Sequence, residues 1–234
     1  MATTTMVSAF KRDVMLGAHC FMASQAAGTI TGTTANGVFT VTAMSTVVGL
    51  AVGMAVAGTG IAAGTVIASI DSTTQITMSK AATGANAGTL AFGGDPLYVA
   101  LIKTSPSGTY DASVTNYGTG SGTPTAANLG TDEVANGNGY VTGGQLLTNV
   151  TPTLDTGVAI VNFAPNPSWT SATFSTSAME IYNKAARVGA TAYAGGATNQ
   201  TVSIHDLGSQ TVTGGTFTIL MPVAAAATAI LRIA

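Results

Sequence analysis

The sequence predicts a mainly β fold, a β-sandwich or barrel-like host domain with one N-terminal α-helix and an inserted small all-β module. Three observations predict it. Apolar and polar residues alternate with a period of two along much of the chain, the spacing that sends successive side chains to opposite faces of a strand. Turn-forming glycines are frequent, 29 in 234 residues, and several sit between such alternating runs. Charged residues make up only 7% of the chain and aromatics 6%, yet 46% is hydrophobic and the mean hydropathy is +0.43. The balance is Ala, Gly and Thr, and small residues with β-branched Thr suit pleated sheets joined by tight turns.

Taken in order, "MVSAFKRDVMLGAHCFM" (6–22) is the helix candidate. Val7, Phe10, Val14, Ala18 and Phe21 recur at spacings of three and four and form one apolar stripe. Lys11, Arg12 and Asp13 occupy the other side, and Thr4 or Thr5 is the N-cap candidate. Residues 1–27 therefore read as the helical start of the host domain. Residues 28–94 read as the inserted module. Within it, "GTITGTTANGVFTVTAM" (28–44) predicts a hairpin turning at Asn36-Gly37, with Phe39 and Val41 sharing one face. "TVIASI", "DSTT" and "QITMS" predict a second hairpin, and "GTLAF" a closing strand.

The uncharged stretch Gly49–Ile70 is long enough to cross a bilayer as a helix. Its pattern is wrong for one. Leu50, Val52, Met54 and Val56 alternate with small residues, five glycines interrupt it, and no Trp, Tyr, Lys or Arg flanks it closely. It predicts two or three short strands, and no membrane association is expected.

Residues 95–234 read as the body of the host domain. "DPLYVALIKTS" starts a strong strand, and a long turn-rich loop runs from Ser105 to Gly130. Further strands are predicted near 139–143, 146–151, 157–163, 172–182, 199–206, 215–221 and 228–233. "PVAAAAT" (222–228) predicts a corner before the last of them.

Composition and motifs point away from several kinds of chemistry. The net charge is −2 with no basic cluster, so nucleic acid is not an expected partner. Cys20 is the lone cysteine, which excludes an intrachain disulfide and a cysteine-based metal cluster. The N-terminus lacks the apolar run of a secretory signal, so the sequons at Asn149 and Asn199 read as chance. His19 and Cys20 are adjacent, and neighbouring helical residues point about 100° apart, so they read as packing residues and not a dyad. His205 and Asp206 would face opposite sides of a strand. "YGTGSGTP" (117–124) lacks the Lys-Ser/Thr of a phosphate loop. Asp132 and Glu133, with nearby Asn side chains, suggest at most weak Ca²⁺ binding without EF-hand spacing. No catalytic, cofactor-binding or metal-ligating residue is assigned, and no enzyme is expected.

Five segments together are similar to a family of small structural proteins of tailed bacteriophages. They are "SAFKRDVMLGAHCF", "DPLYVALIKTS", "TDEVANGNGYVTGGQLLTNV", "ATFSTSAMEIYN" and "GTFTILMPVAAAATAILRIA", in the family's order and covering most of 6–22 and 95–234. Residues 28–94 resemble a separate Thr/Gly-rich β module of phage virion proteins. The resemblance implies a non-enzymatic virion protein, assembled in the bacterial cytoplasm, with the capsid decoration (cement) role as the first expectation. It implies the major capsid protein and further copies of the chain as partners. A tail-fibre or baseplate-associated protein that binds host glycans is the alternative. Sugar sites favour exposed aromatics, and Trp169, Tyr110, Tyr117 and Tyr193 show no cluster in the sequence.

Overall fold

Strand pairing claims the N-terminal residues before a helix can start. In this computed structural model, which describes residues 3–15, 19, 21, 30–47, 50, 52–62, 65–117, 129–148, 152–184 and 199–233, Thr5–Met6 form strand β1. Thr5 lies opposite Ile204 and Met6 opposite Ser203. Helix α1 then spans Ser8–Met15, shorter than the 6–22 expected; residues 16–18, 20 and 22 lie outside the described residues. Thr4 and Thr5 are not its caps. Thr4 Oγ1 accepts from the Asp206 amide at 2.9 Å, and Thr5 Oγ1 donates to the Met6 carbonyl at 3.0 Å. Val7 and Phe10 are buried as the stripe requires, Val14 is half-buried, and Ala9, outside the stripe, is buried as well. Asp13 is buried too, contrary to its expected place beside exposed Lys11 and Arg12. It follows Phe10 by three residues, so one face of the helix carries both.

Chain contacts divide the protein into two compact units, one within Cys20–Pro96 and one within Met1–His19, Leu97–Lys184 and Gly189–Ala234. The first contains β2 (Ile30–Thr34), β3 (Thr40–Val41), β4 (Ala55–Ala57), β5 (Thr65–Ser72), β6 (Gln75–Met78) and β7 (Asn86–Gly93). They form one antiparallel sheet in the order β2-β7-β4-β5-β6-β3. Just beyond β3, Thr42 exchanges two main-chain hydrogen bonds with Thr33 of β2, at 2.8 and 2.9 Å. That contact brings the last strand back to the first and makes a nearly closed barrel, which leaves few unpaired edges. Its core is Ile30, Val41, Met44, Val56, Ile67, Ile76, Met78, Ala82, Leu90 and Phe92. Gly37 turns the first hairpin at φ +76°, as the Asn-Gly pair predicts. Phe39 and Val41 do not share an environment: Val41 is buried, whereas Phe39 precedes the regular strand and is half exposed. The Gly49–Ile70 stretch contributes β4 and most of β5, and no helix among the described residues is long and apolar enough to cross a membrane.

The second unit holds β8 (Leu97–Lys103), β9 (Gln145–Leu146), β10 (Thr153–Asp155), β11 (Val158–Val161), β12 (Ser168–Asn183), β13 (Gln200–Thr218) and β14 (Leu231–Ile233). Five strands pair antiparallel as β1-β13-β12-β8-β9, and three as β10-β11-β14. Strand β12 is central, and from Ala178 to Asn183 every residue is buried, because both faces of the sheet are covered there. The strands expected at 199–206 and 215–221 are one continuous strand. Its partner β12 is nearly as long, 16 residues against 19, and register shifts in the ladder absorb the irregular residues between. The strand expected at 139–143 is a turn instead. Gly137, Asn138, Gly139, Gly143 and Gly144 all adopt positive φ, which breaks a ladder. Strand β10 was not predicted; Thr156-Gly157, both at positive φ, turn it into β11. The corner at 222–228 is present, with the Ala229 amide bonded to the Ala225 carbonyl at 2.8 Å.

Two glycines separate conformation from space. Gly144 (φ +72°) lies so close to β8 that a Cβ would sit 1.8 Å from the Val99 carbonyl oxygen, whereas Gly157 (φ +85°) has open space around it. Gly157→Ala should cost only the left-handed backbone penalty, roughly 1–2 kcal/mol. Gly144→Ala should cost more than about 3 kcal/mol, because β8 must also move. Urea denaturation of the two variants checks the ordering, which equal midpoints would contradict.

Candidate functional site

Three acidic side chains buried against the five-stranded sheet form the most distinctive polar site of the second unit. The short 3₁₀ turn Gly130–Asp132 delivers the chain to β8, where Glu133 bridges Ile102 and the Val134 amide bonds the Leu101 carbonyl at 2.9 Å. Asp132 and Glu133 therefore lie side by side in sequence but take different donors. Asp132 Oδ1 accepts from the Ser107 amide at 2.7 Å, and Oδ2 from the Gly108 amide at 2.7 Å and the Tyr110 hydroxyl at 2.9 Å. Lys103 Nζ stands 3.5 Å from Oδ1. Burial pushes the Asp132 carboxyl upward, but the two amides and the tyrosine outweigh it and leave the group below the usual carboxylate range. Glu133 accepts from the hydroxyls of Tyr117 at 2.7 Å and Tyr140 at 2.6 Å and from the Gly143 amide at 2.7 Å.

Glu180 is the third. It sits mid-strand in β12, opposite Ala100 on one side and Ile204 on the other, and is fully buried. Thr201 donates to Oε1 at 2.5 Å, and among the described residues Oε2 has no hydrogen-bond partner. Burial, only partly offset by the Thr201 bond and reinforced by the charge of Glu133, pushes this carboxyl up to about 8. Four tyrosines surround the acids. Tyr182 stacks on Tyr117 with ring centroids 4.2 Å apart and donates to the Gly143 carbonyl at 2.8 Å, while the Tyr140 hydroxyl also accepts from the Leu101 amide at 3.0 Å. Burial and the neighbouring carboxyls push Tyr110, Tyr117, Tyr140 and Tyr182 upward, so each stays a protonated donor.

His205 lies apart from this site. It lines a cleft of about 310 Å³ with Thr4, Met6, Ile230 and Arg232, and its Nε2 is 2.8 Å from Ser203 Oγ. Burial pushes the imidazole down to about 4, which keeps it neutral at pH 7. Asp206 does not join it: the Asp206 carboxylate accepts from the Gly208 amide at 3.0 Å within a local turn. Ser203 is fully buried, so its hydroxyl is not presented to the cleft. A larger cleft, about 640 Å³, is lined by Thr3, Thr5, Ser8, Asp111 and Ser113, and Asp111 Oδ1 accepts from the amide and hydroxyl of Ser113 at 2.8 and 2.6 Å.

The remaining sequence candidates scatter. His19 packs edge-on against Phe10 and bonds Asn183 at 3.1 Å; Cys20 lies outside the described residues. Asp132 and Glu133 do not form the Ca²⁺ site considered above, because amide and hydroxyl donors occupy their oxygens. Among the described residues no group of three or more His, Cys, Asp or Glu side chains could hold a metal ion. Trp169, Tyr110 and Tyr117 are buried; Tyr193, residues 118–128 and Asn149 lie outside the described residues. The acid–tyrosine site itself was missed. Its only sequence trace is that two acidic residues, Asp132 and Glu133, and two of its tyrosines, Tyr110 and Tyr117, fall in segments expected to be loops. No known protein family, curated protein or solved structure matches the chain.

The lowered pKa of Asp132 has a definite sign. Its contribution to stability is present above the ordinary carboxyl range and is lost as pH falls through its lower folded-state value. Asp132→Asn should destabilise the protein by roughly 2–4 kcal/mol at pH 7, and by progressively less in acid. Chemical denaturation at pH 7 and pH 3 checks this; a gap that does not shrink at pH 3 would contradict it. For His205, an NMR titration should find a midpoint near 4, and one at the ordinary imidazole value would show an exposed ring.

Proposed function

We propose that this is a non-enzymatic virion protein of a tailed phage, a capsid decoration protein that stabilises the head by binding across neighbouring capsid subunits. The observation that carries the reading is an uncovered apolar row on the three-stranded sheet. Leu154 of β10 pairs with Ala159 of β11, and Ala159 with Ile233 of β14, so the three side chains run across one face. Leu154 is 77% exposed and Ile233 51%. Leu146, Leu220 and Val223 are exposed as well. Soluble proteins rarely leave large contiguous apolar patches open unless a partner covers them.

The mechanism follows from the hydrophobic effect. Each large apolar side chain buried against a capsid subunit stabilises the contact by about 1.5–3 kcal/mol. Repeated over many copies, such contacts oppose the outward pressure of packaged DNA. A chain with 7% charged residues meets little long-range repulsion at high local density, which suits partners that include the major capsid protein and further copies of itself. The segments that resemble phage structural proteins include "AILRIA" (229–234), and so all of β14. Three of the four candidate stacking residues of the glycan-binding alternative, Trp169, Tyr110 and Tyr117, are spent in the interior.

The test is binding of purified protein to particles that lack it, read by co-sedimentation and cryo-electron microscopy. Wild type should decorate the head at hundreds of copies. Leu154→Asp with Ile233→Asp should weaken binding at least tenfold while keeping the sheet-rich circular dichroism spectrum. Attachment to the tail, or undiminished binding by a folded double variant, would overturn the reading.

A further inference from the structure

We propose that the buried carboxyls form a pH-sensitive clasp on residues 107–117, that ionisation of Glu180 opens it, and that opening releases the N-terminal strand. Segment 107–117 is irregular chain, yet it is held at many points. Ser107, Gly108 and Tyr110 donate to Asp132, and Tyr117 donates to Glu133. Further along, the Tyr117 amide bonds the Asn199 carbonyl at 2.8 Å and the Thr201 amide bonds the Thr115 carbonyl at 3.2 Å. The segment in turn supports the N-terminus. The Tyr110 carbonyl accepts from the Thr3 amide at 3.0 Å, and the Ala112 carbonyl from the Ser8 amide at 2.9 Å, on either side of β1. Carboxyls, segment and β1 thus form one chain of hydrogen bonds.

Glu180 is where this chain is weakest. As a neutral acid it tolerates a single bond from Thr201, but a carboxylate in the same place needs donors for both oxygens. The groups that sense its charge are Glu133, Tyr110 and Tyr117 from the flanking segments and Tyr182 from β12 itself. The acid repels a second negative charge, and three tyrosines already donate elsewhere, to Asp132, Glu133 and the Gly143 carbonyl. Lys103, on β8, is 3.5 Å from Asp132. An ionised Glu180 therefore gains a donor only by drawing a tyrosine from its partner or by admitting water, and either loosens 107–117. The raised carboxyl value agrees with this.

Linkage sets the window. When the clasp opens, Glu180 reaches water and returns to the ordinary value of 4.5, whereas closed it titrates near 8. Opening should therefore grow about tenfold per pH unit between those values and level off above the upper one. Hydrogen exchange of the full-length protein between pH 5 and 9, corrected for intrinsic rates, reads this directly. Peptides covering 107–117 and 3–8 should lose protection together with that slope, while barrel peptides from 30–93 should not. Glu180→Gln should flatten the slope. PH-independent protection in the wild type, an unchanged slope in a folded Glu180→Gln, or protection lost in 107–117 but not in 3–8 would overturn the proposal. Should that variant fail to fold, infrared spectroscopy of the wild type decides. A protonated-carboxyl band at pH 6.5 that fades with a midpoint near 8 is expected, and its absence overturns the proposal.

Discussion

Removing three carboxyl groups from water beside one sheet is the constraint on which the second unit is organised. An isolated buried carboxylate is unfavourable by several kcal/mol, so each must find donors or keep its proton. Asp132 takes two main-chain amides and a tyrosine, Glu133 takes two tyrosines and an amide, and Glu180 has one threonine hydroxyl. These solutions dictate what surrounds them. Residues 107–117 lie against the sheet because they supply donors, not because they form regular structure. The turn at 137–144 must approach β8 closely enough for the Gly143 amide to reach Glu133, and the absence of a side chain at Gly144 permits that approach. Tyr140 ties the arrangement to β8 by accepting from Leu101 while donating to Glu133.

The barrel solves a different problem. Its core is aliphatic apart from Phe92, Met44 and Met78, so cohesion comes from apolar burial and from main-chain bonds carried around the sheet. The Thr33–Thr42 pair matters because it brings an otherwise open sheet edge to a partner. With few charges available to discourage edge-to-edge association, near-closure of the sheet does the work that lysines do in other proteins.

The three-stranded sheet carries an apolar row on one face, and the proposed capsid contact rests on that row. Its residues Leu154 and Ile233 become neighbours of Ala159 only through pairing across β11, from positions far apart in the chain.

The sequence by itself determined the mainly β class, the Asn36-Gly37 hairpin, the second hairpin at 65–78, the strand from Leu97 and the strand character of Gly49–Ile70. Each of these depends on neighbours in the chain: alternation sorts side chains to two faces, and Asn-Gly accepts positive φ. The helix was legible in type but not in extent, because the pairing of Thr5–Met6 with Ser203–Ile204 joins residues about two hundred positions apart. For the same reason β13 could not be read as one strand, since its continuity comes from the length of β12. Only the tertiary structure decided the acid–tyrosine site. Nothing local distinguishes Glu180 from a solvent-facing strand residue, or Asp132 and Glu133 from a turn rich in acidic and Asn side chains. Their burial, their donors and their titration exist only once β8, β12 and residues 107–117 are folded together, because a carboxyl group takes its properties from the water it loses and the donors it gains.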